Sequence, residues 1–200
     1  MNERIGKISS IVNSCAVVGF ALSMVFDFSF GAYFSSMFIA FSFVPMISAF
    51  VVYGKKETKV AGNTAMLFAS MYATFILIIY FVQLTTVRVE NLSVEAILLL
   101  DYAAFGMFFN LNLLGYGLMS LSTFFIGITI DVKTKAEKWL KYLLMIHGIF
   151  AISGLIMPML DIFQTMEGVD WVGTGILLFW CVYFTPIGIL SYEYFKREMR

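Results

Sequence analysis

The organisation of this chain is decided by residues 30–59, which read FGAYFSSMFIAFSFVPMISAFVVYGKKETK. Residues 30–53 contain no Asp, Glu, Lys or Arg, and the polar segment 54–59 that follows carries three lysines. A helix that crosses a bilayer needs about 20 consecutive apolar residues. The stretch therefore predicts a transmembrane helix that ends at a basic loop.

The composition of the whole chain points the same way. Hydrophobic residues make up 60% of the 200 residues and charged residues only 13%, and the mean hydropathy is +0.89. Soluble domains have about 45–50% apolar and about 25% charged residues. So little polar surface excludes a water-soluble domain, and nothing in the sequence suggests nucleic-acid binding, so no nucleic-acid partner is expected.

Five further apolar runs resemble the first one in length. Because the runs are continuously apolar rather than alternating, they predict helices and not the strands of a barrel. We expect an all-α, polytopic membrane helical bundle with membrane lipid around it. The predicted domain is a single one, residues 1–200, with spans at about 8–27, 30–53, 60–87, 108–130, 139–160 and 171–194.

The basic residues predict the orientation of the bundle. All of the 13 Lys and Arg residues except Arg88 fall at the two termini or near the loops after spans two and four. Loops rich in Lys and Arg stay on the cytoplasmic side of a membrane. We therefore expect a multi-pass protein of the cell (inner) membrane with both termini in the cytoplasm.

The segment 94–130 is too long for one span. As a single straight helix it would reach about 55 Å, whereas the hydrocarbon core is about 30 Å thick. Arg88 and Lys133 are expected on opposite sides of the membrane. The chain must therefore cross the membrane an odd number of times between them, so two spans do not fit. We expect a short outer interfacial helix before span four, at about 93–104, which is capped near Asn91 or Ser93 and followed by a bend at Gly106.

Four polar residues of this segment form the predicted binding site. Asp101 and Asn112 would share one face of a continuous helix, and Asn110 and Tyr116 lie close to them in sequence. These residues predict a polar pocket in the outer half of the bundle. The alternative is that Asp101 is exposed or paired with Arg88, while the asparagines bond to neighbouring helices.

His147 completes the list of candidate binding residues. It is the one histidine of the sequence and lies in the inner half of span five, where an ionisable group suggests function. The alternative is a neutral histidine that is hydrogen-bonded to a neighbouring helix. Cys15 and Cys181 are expected to be small buried hydrophobes. Without a Cys or His cluster we predict no metal and no cofactor.

Small residues at every fourth position predict where the helices touch. Span one and span three each carry such a stripe, and close approach of this kind drives association in lipid. The stripes are Cys15, Gly19 and Ser23 in span one, and Ala61, Ala65, Ala69 and Ala73 in span three.

Two functions fit these patterns. The first is binding or transport of a small solute through an outward-facing polar pocket. The alternative is a non-catalytic membrane subunit or sensor that acts through a partner protein. An intramembrane enzyme is not expected, because the sequence offers neither paired acids nor a nucleophile motif with a base.

Overall fold

In a computed structural model of the chain, residues 1–89, 92–160 and 170–197 are described, and they are helical with no strand among them. The helices are α1 (Asn2–Val25), α2 (Ser29–Tyr53), α3 (Lys59–Thr85), α4 (Val94–Leu100), α5 (Met107–Thr129), α6 (Lys135–His147), α7 (Phe150–Met159) and α8 (Asp170–Arg197). Six segments in these ranges are long and apolar enough to cross a membrane, with α6 and α7 together forming one of them.

The helices form a ring in which sequence neighbours are also neighbours in space. The helix α1 packs against α2, α2 against α3, and α3 against α5. The helix α5 then contacts both α6 and α7, and α8 closes the ring by packing on α1 and α6. Short connections favour this arrangement. Between α1 and α2 the turn is tight, and Asp27 adopts a left-handed φ of 51° there, which Asp tolerates better than most residues.

One end of the ring, which we call the basic end, gathers the lysine-rich loops. Lys55, after α2, forms an ion pair of 3.3 Å with Asp131, after α5. The backbone N–H of Lys55 also donates to the carbonyl of Thr129 at 3.1 Å. Gly6 of α1 lies against the ring of Phe195 in α8, so the two terminal helices meet at the same end.

A buried carboxylate joins α6 to α8 at the basic end. Glu137 is 3% exposed and belongs to a capping box, in which Thr134 accepts from the Glu137 N–H at 3.3 Å. In return, one Glu137 oxygen accepts from the backbone N–H groups of Thr134 and Lys133 at 2.8 and 2.6 Å. The other oxygen pairs with the guanidinium of Arg197. The capping box and the ion pair together join α6 to α8 at this end.

Replacing Arg197 is expected to destabilise the protein strongly. Arg197→Leu leaves the Glu137 carboxylate buried without its cation and lowers the free energy of unfolding by about 2–4 kcal/mol. Lys196→Leu is the matched control, because its 3.7 Å pair with Glu193 is half exposed and such pairs contribute about 0–1 kcal/mol. Denaturant titration in detergent micelles measures both. Equal losses in the two variants would contradict this account.

The long apolar segment 94–130 is divided into two helices, as expected from its length. Ser93 caps α4 by accepting the N–H of Ala96 at 3.3 Å, and α4 ends at Leu100. After a short 3-10 turn, Phe105 adopts a left-handed φ of 51°. We expected Asp101 and Asn112 to share one face of a continuous helix. They do not, because the helix is interrupted between these two residues.

The bend at Gly106 depends on the lack of a side chain. A Cβ at this position would overlap the carbonyl oxygen of Leu98, so the chain passes too close to α4 for any larger residue. Gln83 of α3 holds the same turn in place. Its amide donates to the Leu100 carbonyl at 2.6 Å and accepts from the Tyr102 N–H at 3.2 Å.

The fifth predicted span, 139–160, is not one continuous helix. The helix α6 ends at His147, and α7 begins at Phe150. At the break, the N–H groups of Gly148 and Ile149 bond three residues back, at 3.1 and 3.0 Å, instead of four. No proline lies at this point, so the sequence showed no strong break signal.

The packing of α7 on α5 depends on a glycine. A Cβ on Gly154 would lie 2.8 Å from the Leu113 carbonyl oxygen and 3.1 Å from the backbone nitrogen of Gly117. These neighbours are backbone atoms of α5, which cannot turn aside as a flexible side chain would. The two helices therefore approach each other almost backbone to backbone.

Gly154→Ala is expected to separate α7 from α5. The added methyl group overlaps the backbone of α5 and lowers the free energy of unfolding by about 1–3 kcal/mol. Gly175→Ala in α8 is the control, since no described atom lies within 4 Å of a Cβ there. That variant should unfold at the same temperature as the unmodified protein or slightly higher. A Gly154→Ala protein that melts like the control would show that the helices are not in close contact.

The small-residue stripes form helix contacts in part. Gly19 faces Ser35 of α2, at 3.1 Å from its would-be Cβ. Cys15 is exposed and Cys181 is buried, so the expectation that both thiols are buried is wrong for Cys15, which points outward from α1. Three alanines of the span-three stripe are buried: Ala65, Ala69 and Ala73.

Candidate functional site

Five aromatic rings from four helices form a closed circuit in the middle of the bundle, which we call the central box. The centroid of Phe43 lies 5.3 Å from that of Tyr72 and 6.5 Å from that of Phe184. Tyr72 and Tyr116 are 5.7 Å apart. Trp180 completes the circuit at 5.7 Å from Tyr116 and 5.0 Å from Phe184. The helices α2, α3, α5 and α8 thus each contribute at least one ring.

Two buried polar atoms at this box have no hydrogen-bond partner among the described residues. They are the hydroxyl of Tyr72, which is 0% exposed, and the Oδ1 of Asn112, which is 2% exposed. Asn112 lies one helical turn before Tyr116 on α5, so both side chains point to the same face. A buried polar group without a partner costs about 1–3 kcal/mol.

A cluster of tyrosines extends from the central box toward the end opposite the basic end. The side chains of Tyr80, Tyr116 and Ser36 lie near one another. The ring of Tyr80 then lies 5.4 Å from Tyr33 and 6.3 Å from Tyr102. Polar side chains therefore continue from the middle of the bundle to the turn after α4.

The end opposite the basic end, which we call the acidic end, carries carboxylates on exposed residues. Asp27 and Glu95 are both exposed. Hydrogen bonds from the backbone N–H of Glu95 and the Ser93 hydroxyl lower the pKa of the Glu95 carboxyl. Arg88 lies at the same end, 5.4 Å above the ring of Phe30. Cations approaching this end meet mostly negative charge.

His147 has hydrogen bonds at both ring nitrogens. The indole N–H of Trp180 donates to Nε2 at 2.9 Å, so Nε2 is an acceptor and the proton is on Nδ1. Nδ1 then donates to the Thr123 hydroxyl at 2.7 Å, and that hydroxyl donates to the Ser120 carbonyl at 2.8 Å. This chain assigns a neutral histidine that holds Trp180 in place, and the histidine ring also lies 5.1 Å from that of Phe184.

His147→Leu is expected to destabilise the protein because it removes the acceptor of a buried indole N–H. We expect a loss of about 2–4 kcal/mol in the free energy of unfolding, from one or two buried groups left unpaired. Tyr142→Leu on the same helix is the control, since Tyr142 is 48% exposed. Denaturant titration in micelles compares the two. A loss no larger than that of the control would show that the Trp180 bond contributes nothing.

The predicted site residues are brought together only in part. Asn112 and Tyr116 meet at the central box, whereas Asn110 is exposed, because two positions along a helix turn the side chain by about 200°. Asp101 lies in the turn after α4, half-buried, and its Oδ1 accepts the N–H of Ala103 at 2.9 Å. His147 lies beside the central box and accepts the hydrogen bond of the Trp180 indole N–H.

Four rings of the central box were not among the predicted site residues: Phe43, Tyr72, Trp180 and Phe184. With 22 Phe, 10 Tyr and 3 Trp in the chain, an aromatic residue in a span carries no special signal. Tyr72 and Trp180 stood out only as polar-tipped aromatics far from the predicted helix ends. Such residues need a buried hydrogen-bond partner.

Two open surface depressions lie away from the box. One, of about 330 Å³, is at the basic end between α6 and α8 and includes Glu137 and Arg197 among its lining residues. The other, of about 320 Å³, is an apolar groove between α1 and α2, lined by Val12 and Pro45 among others. Within the described ranges no group of His, Cys, Asp or Glu could hold a metal ion.

Comparison with known proteins adds no functional information. No family model, no curated protein and no solved structure matches the chain. The interpretation of the site therefore depends on the geometry of this bundle alone.

Proposed function

We propose that this chain is a multi-pass protein of the cell (inner) membrane that binds a small solute in the central box and carries it across the bilayer. Both termini and the basic end face the cytoplasm, and α4 lies at the outer interface. The orientation is supported by the lysine-rich loops, which gather at one end of six apolar segments, as positive-inside topology requires.

The unpartnered atoms at the central box carry this proposal. In a bilayer no bulk water reaches the middle of a bundle, so a buried hydroxyl or amide oxygen must find its partner inside the protein or in a bound molecule. The Tyr72 hydroxyl and the Asn112 Oδ1 lack such a partner in the described chain. A solute with a polar group of its own would satisfy them while its apolar part contacts the rings.

The packing around the box favours access from the acidic end. At the basic end Glu137–Arg197 and Lys55–Asp131 join neighbouring segments. In the other half, none of residues 173–179 of α8 is buried, and Ala151 is the one buried residue of α7. Among the described residues, α8 is packed on α1 and α6, and α7 is packed on α5. The bundle is therefore tighter at the basic end.

Asn112→Leu is expected to abolish solute passage, because it removes the unpartnered oxygen and fills its place with a methyl group. The protein is reconstituted in liposomes and supplied with labelled small solutes that include neutral amides, alcohols, organic cations and organic anions. At least one solute should enter in a protein-dependent manner, with a rate that falls at least about tenfold in Asn112→Leu. Such a loss corresponds to at least 1.4 kcal/mol.

Asn110→Leu is the matched control for this experiment. It makes the same chemical change two residues away on an exposed position, and its rate should stay within about twofold of the unmodified protein. Entry that is equally affected in both variants, or no protein-dependent entry of any solute, would remove the proposal.

A further inference from the structure

The exposed face of α6 changes its chemical character along the helix. Lys135 and Lys138 lie in the first turn, Trp139 and Tyr142 follow, and Ile146 comes next, and all five side chains are exposed. Residues three and four positions apart share one side of a helix, so these residues form a single stripe, which we call the α6 stripe. It is basic at the basic end of the bundle, then aromatic, then aliphatic.

This order matches the layers of a membrane surface. Trp and Tyr concentrate at the boundary between the lipid headgroups and the hydrocarbon, which places Trp139 and Tyr142 at that level. Ile146 then lies among the acyl chains, and the two lysines lie on the headgroup side. The Nζ of Lys138 is 5.9 Å from the centroid of the Tyr142 ring, so its ammonium group stays close to the boundary.

No acidic side chain of α6 neutralises the stripe. The one carboxylate of this helix belongs to Glu137, which is buried and pairs with Arg197 of α8. In the described ranges of the chain, neither Lys135 nor Lys138 forms an ion pair. Because Glu137 is directed inward, the exposed side of α6 carries positive charge alone, and this charge is available to an anion outside the protein.

From this order of side chains and the unneutralised lysines, we propose that the α6 stripe binds an anionic phospholipid in the leaflet at the basic end. The phosphodiester contacts Lys135 and Lys138, and the acyl chains lie along Ile146. A zwitterionic headgroup fits less well, because its own cation is repelled by the lysines. The aliphatic continuation favours a lipid over a soluble acidic protein, which would not reach the hydrocarbon layer. This inference goes beyond solute passage and does not depend on it.

The test uses Trp139 as a reporter of the lipid beside it. The full chain is reconstituted in phosphatidylcholine vesicles in which part of the lipid is replaced by phosphatidylglycerol or phosphatidylcholine with brominated acyl chains, since bromine quenches tryptophan emission on contact. Subtracting the signal of Trp139→Phe isolates the emission of Trp139. We expect brominated phosphatidylglycerol to be preferred at least about threefold at this residue, as basic residues near an anionic surface predict. Equal quenching by the two lipids would overturn the inference.

Two double variants separate the stripe from the general charge of the basic end. Lys135→Gln combined with Lys138→Gln should remove the preference for phosphatidylglycerol. Lys56→Gln combined with Lys59→Gln is the matched control, because it removes the same charge at the same spacing from exposed positions at the same end. The control should keep at least about a threefold preference. An equal loss in both double variants would contradict binding at the stripe.

Two further measurements identify the kind of partner. Raising the salt concentration from about 0.05 to about 0.5 M shortens the range of electrostatic attraction and should reduce the preference for phosphatidylglycerol. A preference that salt does not change would contradict recognition by the lysines. If poly-glutamate changes the emission of Trp139 while phosphatidylglycerol is not preferred, the stripe is a surface for an acidic protein, and the lipid inference is overturned.

Discussion

The structure depends on one constraint, which is that a backbone surrounded by apolar side chains must satisfy its own N–H and carbonyl groups. Helices do this within a single segment, and six segments of this chain are long and apolar enough to do so across a membrane. Side chains then need polar partners only where the sequence places polar atoms inside. Most of these bond locally, as Ser10 does to the carbonyl of Gly6 at 2.8 Å.

Two groups of buried polar atoms that do not bond locally lie at the central box. In one group every donor has a partner, because the hydrogen bonds run from Trp180 through His147 to Thr123. The other group consists of Tyr72, whose ring lies 5.7 Å from that of Tyr116, and Asn112, one helical turn before Tyr116, and each has an unpartnered atom. A histidine fixed by hydrogen bonds next to unpartnered buried atoms suits the solute binding that we propose, because the residues that support a binding site are themselves held in place.

The sequence allowed the six apolar segments to be placed closely, because their length and continuity reflect the thickness of the hydrocarbon core. The predicted span 30–53 corresponds to Ser29–Tyr53, and 108–130 corresponds to Met107–Thr129. The site was harder to predict. Asn110 and Asn112 are chemically identical, and only the rotation of α5 against α3 and α7 decides which one is buried. Residues 161–169, which lie between the fifth and sixth predicted spans, and residues 90–91, with the predicted cap Asn91, lie outside the described residues.

The break between α6 and α7 divides the fifth span into two parts that both pack on α5. The part before the break is also joined to α8 through Glu137 of the capping box, whereas the part after it rests on α5 through Gly154. Gly148 and Ile149 join two short helices. A tilt of α7 therefore need not propagate to α6, and α7 can move while the contacts between α6 and α8 stay intact.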